Sequence, residues 1–409
     1  MGGCVAMSAS AQETKQSQDL SVELNPVVVT GTGTHHRLKD TPTPVEVVTA
    51  NDIKKAGITD FREAMTALVP SLSFSTNSMG DYLMLNGLSN KYVLILINGK
   101  KLTGDSSNNI DLNRIDMSNV KRIEVLKGAG SALYGSDAIG GVINIITNQP
   151  INDITVTSNT KVEERGQFTQ TANVDIKTEK FASYTSYQRR QADGWTLTRV
   201  DADGEARDQH DANAFYTDNY TQMFQFTPND KLSMYVEGSY YDRTVKRQPE
   251  YLKYNLTYDA YSLGAGAKYN FNKRSYIQFD IKNDNYDTNY LYTNEDGDNK
   301  VGDEVRQKRQ HYYSGNLKSL FRFTENTRTI FGVEYIQETL DRPSFNVDER
   351  AYTWATYAQE EITLFKNLQI QAGLRYVYHE TAKSNVTPKL AVMYRLGDFT
   401  IRGQYSAGF

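Results

Sequence analysis

The chain has 409 residues, a net charge of −4 and one cysteine among 28 tyrosines and 16 phenylalanines. That length admits two or three ordinary domains, a lone cysteine excludes a disulfide-stapled fold, and the charge offers a nucleic-acid partner nothing to bind. No window approaches the run of about 18 apolar residues that a membrane helix needs, but a membrane β-barrel escapes this test, because its strands alternate apolar and polar side chains.

Residues 1–11 close on Ala9-Ser10-Ala11 ahead of Gln12, an A-x-A cleavage pattern that reads as residual signal peptide and leaves Cys4 outside the mature chain. Residues 12–36 are predicted to be a flexible segment. Within them Pro26-Val27-Val28-Val29-Thr30-Gly31 has high strand propensity and no obvious partner. That is the property of a segment that adds as an edge strand to another protein, or else of the first strand of the next domain.

Residues 37–150 read as a small α+β domain. Pro42 to Thr49 leads as a strand into a short helix that Asn51 is placed to cap. Thr59 is the expected N-cap of a second helix, whose Phe61, Met65 and Leu68 share a face before Pro70 stops it. Leu83 to Leu88 and Tyr92 to Gly99 are buried strands carrying Asn-Gly turns at Asn86-Gly87 and Asn98-Gly99. Then comes the most telling stretch, Lys121 to Thr147: two β-branched runs, Ile123 to Leu126 and Val142 to Ile146, around Gly128, Gly130, Gly135, Gly140 and Gly141.

As a string, Arg122-Ile-Glu-Val-Leu-Lys-Gly through Ser131-Ala-Leu-Tyr-Gly-Ser-Asp-Ala-Ile-Gly-Gly-Val-Ile-Asn-Ile-Ile-Thr147 closely resembles the end of the plug domain of TonB-dependent outer-membrane receptors. The resemblance carries a plug signature onto Arg122, Glu124, Lys127, Gly128, Tyr134, Gly135, Asp137, Gly140, Gly141 and Asn144, expected to hold the plug against the barrel wall. It makes Pro26 to Gly31 the TonB box, with Val27, Val28, Val29 and Thr30 as the coupling residues. One departure is Asn86, which stands where the family commonly has arginine.

Beyond Pro150 the texture changes to long alternating segments. Phe168, Ala172, Val174 and Ile176 share one parity, as do Leu232, Met234, Val236, Gly238 and Tyr240, and Leu368, Ile370, Ala372, Leu374, Tyr376 and Tyr378. Short and long turns alternate, and tyrosines gather near strand ends as an interfacial girdle would. A soluble β-sandwich also alternates, but with shorter strands. The fold class expected is therefore mainly β, a small α+β plug inside a transmembrane antiparallel β-barrel. Residues 151–409 supply about 13 strands at about ten residues plus a turn each, against barrels of about 22 strands in the family. The resemblance thus implies a C-terminally truncated barrel.

Nothing in the pattern suggests an enzyme. Ser131 and Ser136 flank Gly135 without forming G-x-S-x-G, Gly128-Ala129-Gly130 lacks the third glycine and the following helix of a dinucleotide loop, and the histidines are scattered. No cofactor or metal is required. The acidic stretch holding Asp201, Asp203, Asp208, His210 and Asp211 has the carboxylate spacing of a calcium or cargo loop, although a solvated hairpin tip is the plainer reading; Asn294 to Asp298 is a weaker candidate. His210 and His311 are candidate axial ligands if the cargo is haem. The function implied by the resemblance is active import of haem, cobalamin or a ferric siderophore across the outer membrane of a Gram-negative cell, with a TonB-type periplasmic energy-transducing protein and the lipid bilayer as partners. The alternatives are a passive porin-like channel or a surface adhesin on the same barrel.

Overall fold

The computed structural model describes residues 7–9, 26–77, 80–106, 109–200, 204–247, 252–365, 367–397 and 399–408. The N-terminal unit contains β1 (Val45–Thr49), α1 (Ala50–Ala56), α2 (Phe61–Leu68), β2 (Leu72–Asn77), β3 (Gly80–Leu85), β4 (Val93–Ile97), β5 (Val120–Lys127) and β6 (Gly141–Thr147). Its central sheet runs β1–β5–β6–β4, with Lys100–Lys101 at the far edge. The strand β5 is antiparallel to β1 and β6, and β6 is parallel to β4.

The sheet is buried on both faces, which explains why β4 is apolar at every position. One face packs Val93, Ile95, Ile123, Val125, Ile143 and Ile145 against Ile53, Phe61 and Met65 of the helices. The other packs Leu94, Leu96, Leu126 and Val142 around Val28, which comes from outside the sheet.

Local signals mostly act where the sequence places them. Asn86 and Gly87 have φ of 51° and 79°, and Asn98 and Gly99 have 52° and 81°, the two left-handed positions of a type I′ hairpin turn. Asn86, at the position of the family's arginine, is thus needed for its backbone. Gly141 has φ of 153°, and a Cβ there would stand 2.5 Å from the Leu126 carbonyl oxygen, so this turn into β6 admits only glycine.

The helix caps differ from expectation. Thr49, not Asn51, caps α1, because Asp52 accepts in return from the Thr49 N–H at 2.9 Å and so completes a capping box. Asp60, not Thr59, caps α2 and accepts from the Glu63 N–H at 3.0 Å; a carboxylate also gains from the helix dipole. A one-turn helix, Ser131–Tyr134, follows Gly130 where none was expected.

The barrel strands are β7 (Ile154–Val162), β8 (Phe168–Lys177), β9 (Phe181–Ala192), β10 (Ala214–Asn229), β11 (Leu232–Lys246), β12 (Tyr254–Asn272), β13 (Ser275–Tyr292), β14 (Glu304–Phe321), β15 (Thr327–Arg342), β16 (Val347–Leu364), β17 (Leu368–His379), β18 (Lys383–Leu396) and β19 (Phe399–Ser406). Each pairs antiparallel with the next in chain order, and Met7–Ala9 pairs with β7. The 13 consecutive strands match the number read from segment length.

Side-chain parity divides the wall. Phe224, Val236, Leu263, Phe279, Ile281, Leu317, Phe331 and Leu374 are exposed on the outer face. A tyrosine rung, Tyr187–Tyr220–Tyr240–Tyr261, crosses four adjacent strands at paired positions. The next rung outward is charged: Arg189, Asp218, Asp242, Asp259, Asp287, Arg309 and Asp341. Apolar band, aromatic girdle and charged belt follow one another as membrane core, interface and water require. No helix among the described residues is long and apolar enough to cross a membrane.

Candidate functional site

The segment from Pro26 to Arg37 is a tight hairpin lodged between the plug sheet and the barrel wall. Val27–Val28 pairs antiparallel with His36–Arg37, so the partner that the sequence did not reveal lies a few residues downstream. Val28 enters the second apolar core while Val27 stays exposed, as strand alternation dictates. Gly31 is closely enclosed: a Cβ there would stand 2.9 Å from Val45 Cγ2 and 3.1 Å from the Thr43 oxygen.

Glu124 fixes this hairpin. It projects from β5 fully buried, and its Oε2 accepts from the N–H groups of Val29 at 2.9 Å and Thr30 at 2.8 Å and from the Thr30 hydroxyl at 2.6 Å. Arg122 donates to its Oε1 at 2.8 Å and supplies the counter-charge that a buried carboxylate requires. Asn144 Nδ2 donates to Thr30 Oγ1 at 3.1 Å, and the Tyr134 hydroxyl donates to the Thr30 carbonyl at 3.1 Å. Burial, and then the Glu124 charge, push the Tyr134 phenol well above its ordinary pKa, which keeps it a donor.

The barrel completes the seat from the other side. Three successive carbonyls of the hairpin accept from three strands: Gly31 from Lys389 of β18 at 3.1 Å, Thr32 from Gln359 of β16 at 2.7 Å, and Gly33 from Lys318 of β14. Farther along, Arg402 donates to the Thr41 carbonyl at 3.0 Å and Arg395 binds Asp40 at 2.6 Å. His36 sits 3.1 Å from Glu361. Partial burial, then the positive charges of Lys268, Arg122 and Lys318, hold the pKa of His35 below its usual 6.5.

A second contact zone lies along residues 100–114. Asp111 accepts from the Tyr241 hydroxyl at 2.6 Å and the Tyr286 hydroxyl at 2.9 Å, and Arg243 approaches at 3.4 Å. Burial works to raise its pKa, but Arg243 and these hydroxyls outweigh burial and hold it below the ordinary 3.8. Arg114 binds Asp284 of β13 at 2.7 Å, and Lys282 reaches the same carboxylate at 3.0 Å. Gly104 (φ 88°) lies so close to Tyr286 that a Cβ would meet its ring at 2.5 Å. Lys101 joins Asp137 at 2.7 Å and Glu338 at 3.2 Å.

The signature residues divide between these tasks. Arg122, Glu124, Tyr134 and Asn144 grip the hairpin, Lys127 pairs with Glu46 at 2.8 Å, and Asp137 joins the second zone. The stretch also meets the wall directly: Arg375 donates to the Leu133 carbonyl at 3.2 Å, Gln404 donates to the Ala129 carbonyl at 3.2 Å, and the Leu133 side chain packs with Leu320, Ile330 and Tyr357. Gly140 donates its N–H to the Tyr92 carbonyl at 2.6 Å, and Gly128 takes a left-handed φ of 92°.

Of the proposed loop ligands, Asp201 and Asp203 lie outside the described residues. Asp208, His210 and Asp211 belong to the strand Ala206–Ala212, which pairs with Trp195–Val200. His311 stacks on Tyr313 on the outer face of β14, away from the plug, and so cannot ligate a cargo in the lumen. Asp296 of the weaker candidate pairs with Lys253 at 3.1 Å. Among the described residues no group of three or more His, Cys, Asp or Glu is placed to hold a metal ion.

The TonB-dependent receptor plug domain model matches residues 37–142, and the TonB-dependent receptor-like β-barrel model matches residues 165–409. The chain belongs to the TonB-dependent receptor family. This receptor is 24% identical over 454 residues to the iron-regulated outer membrane virulence protein of Vibrio cholerae, covering 100% of this chain and 62% of that protein. It is 24% identical over 412 residues to the vitamin B12 transporter BtuB of the same species, covering 94% and 62%. The chain thus spans 62% of the length of these curated relatives. Among solved structures, the siderophore receptor PirA of Acinetobacter baumannii superposes with a TM-score of 0.74 at 17% identity over 88% of this chain and 60% of that one. A mutant of the ferric enterobactin receptor PfeA of Pseudomonas aeruginosa gives 0.75 at 16% identity over 93% and 63%. The family is one of transport receptors, and its β-barrel places this receptor in the outer membrane.

Proposed function

We propose that this chain forms the plug and part of the wall of an active importer, which takes a scarce iron complex, haem or cobalamin across the outer membrane when a TonB-type protein pulls on residues 26–31. The observation that carries the reading is the Glu124 seat. A segment bonded to a buried carboxylate on the central strand β5 delivers a pull directly into the plug sheet, whereas a loose tail would dissipate it. Val27–Val28 already has strand geometry with one edge paired, and adding a strand to such an edge is a common mode of peptide capture. A porin-like channel has no use for a folded domain across its lumen. The relatives are described as iron-regulated, siderophore and vitamin B12 proteins, which supports a ferric siderophore or cobalamin as cargo. Deleting residues 26–31 should abolish energy-dependent uptake and leave surface binding of cargo intact; uptake that continued without an energised inner membrane would overturn the reading.

A further inference from the structure

Two lysines of the wall that grips the hairpin take their oxygen acceptors from the hairpin and not from the barrel. Lys389 and Lys318 are bonded to the Gly31 and Gly33 carbonyls and have no carboxylate at ion-pair distance among the described residues. Three acids lie near and are engaged: Glu334 by Arg375, Glu361 by His36 at 3.1 Å and Arg328 at 3.3 Å, and Asp280 by Tyr235 and by Gln278 at 2.8 Å. On the same wall the buried Gln371 Nε2 and Arg375 Nε have no acceptor and the buried Gln359 Oε1 has no donor among the described residues, while Arg375 is otherwise held by Glu334 and the Leu133 carbonyl. Strand register brings the set together: Gln359, Gly373 and Lys389 form one rung of β16, β17 and β18, and Gly373 contributes no side chain to fill the space between the other two. A buried ammonium without an acceptor is strongly unfavourable. When the hairpin leaves, both ammonium groups lose the carbonyl oxygens that accept from them.

We propose that the surface of Lys318, Gln359 and Lys389 is a polyanion site, covered at rest by the carbonyls of residues 31–33 and uncovered when the hairpin withdraws. The resting hairpin acts as a pseudo-ligand. The inference rests on the proposed pull that withdraws residues 26–31, but its test performs the withdrawal by deletion and needs no energy source. Inorganic pyrophosphate is titrated calorimetrically at low salt into the detergent-solubilised receptor, either intact or lacking residues 26–36. The deletion should bind pyrophosphate at least about tenfold more tightly, a difference of about 1.4 kcal/mol, because the uncovered donors form charge-assisted bonds to the phosphate oxygens. Lys318→Gln with Lys389→Gln on the deleted background should return affinity to the intact level, while Lys318→Arg with Lys389→Arg should keep it, which separates lost charge from lost fold. Equal affinity of intact and deleted receptor, or full affinity in the glutamine pair, would overturn the site. Either of those results leaves the uptake test of residues 26–31 standing, and failed uptake coupling would leave a pyrophosphate site standing.

Discussion

Two of the zones that hold the receptor's plug differ in the balance of their bonds. Around residues 100–114 buried side chains pair with one another, Asp111 with Tyr241, Tyr286 and Arg243, and Arg114 with Asp284, and main-chain bonds such as Lys282 to the Lys101 carbonyl and Asn219 to the Asn113 carbonyl add to them. At the hairpin the bonds run mostly from barrel and plug side chains to main-chain groups, at Val29, Thr30, Gly31, Thr32 and Gly33. A side-chain lock depends on the identity of both partners and is costly to open. A main-chain seat asks only that the chain adopt the right path, and peeling the hairpin breaks its bonds one after another. The first suits an anchor, the second a part that is meant to leave.

That contrast can be broken experimentally. The largest effect is expected from Asp284→Ala, which strands Arg114 and Lys282 without their counter-charge; losing one partner of a buried pair costs about 3–5 kcal/mol. Hydrogen exchange should rise across residues 100–114 and stay unchanged at the hairpin. Glu124→Ala should do the reverse, loosening residues 27–34 by about 2 kcal/mol through the lost charge-assisted bonds, as read by the mobility of a spin label at Val27. Gly104→Ala introduces strain at φ 88° and a clash with Tyr286, and should lower plug stability by about 1–2 kcal/mol in urea unfolding.

Acid should separate the two zones without any mutation. The docked state disfavours protonated His35, so its contribution is complete above pH 6.5 and declines as pH falls below that value. Asp111 has a depressed pKa, so its contribution persists until pH falls below 3.8. Protection factors, from which the intrinsic pH dependence of amide exchange is divided out, measured at about pH 7.5 and about pH 5.5, on either side of the ordinary histidine pKa, should therefore change at the hairpin and not at residues 100–114, and His35→Gln should remove the difference. The smallest effect is expected from Lys127→Ala, whose partly exposed pair with Glu46 is worth less than about 1 kcal/mol in thermal unfolding.

Much of this was legible in the sequence. Period-two alternation located the barrel strands, and Asn-Gly pairs fixed two plug turns because few other residues take left-handed φ at both central positions. The signature glycines marked the turn into β6. The helix caps were misplaced by one or two residues because Thr49 gains a reciprocal bond from Asp52 and the Asp60 carboxylate outcompetes Thr59, and single-residue propensities weigh neither effect. His311 read as a possible ligand because spacing does not reveal which face of a strand looks into the lumen.

The seat itself was hidden for a deeper reason. The sequence determined that Val27 and Val28 would be extended and that Glu124 and Asn144 would lie in strand runs, since both follow from local β propensity, whereas Thr30 and Gly31 form the turn of the hairpin. Only the tertiary structure decided that Glu124 would turn its carboxylate onto Thr30, and that Lys389, Gln359 and Lys318 would converge on three carbonyls hundreds of residues earlier in the chain. Main-chain carbonyls are the same at every position and leave no mark in a sequence, so their partners become visible only when the curved wall brings distant strands around them.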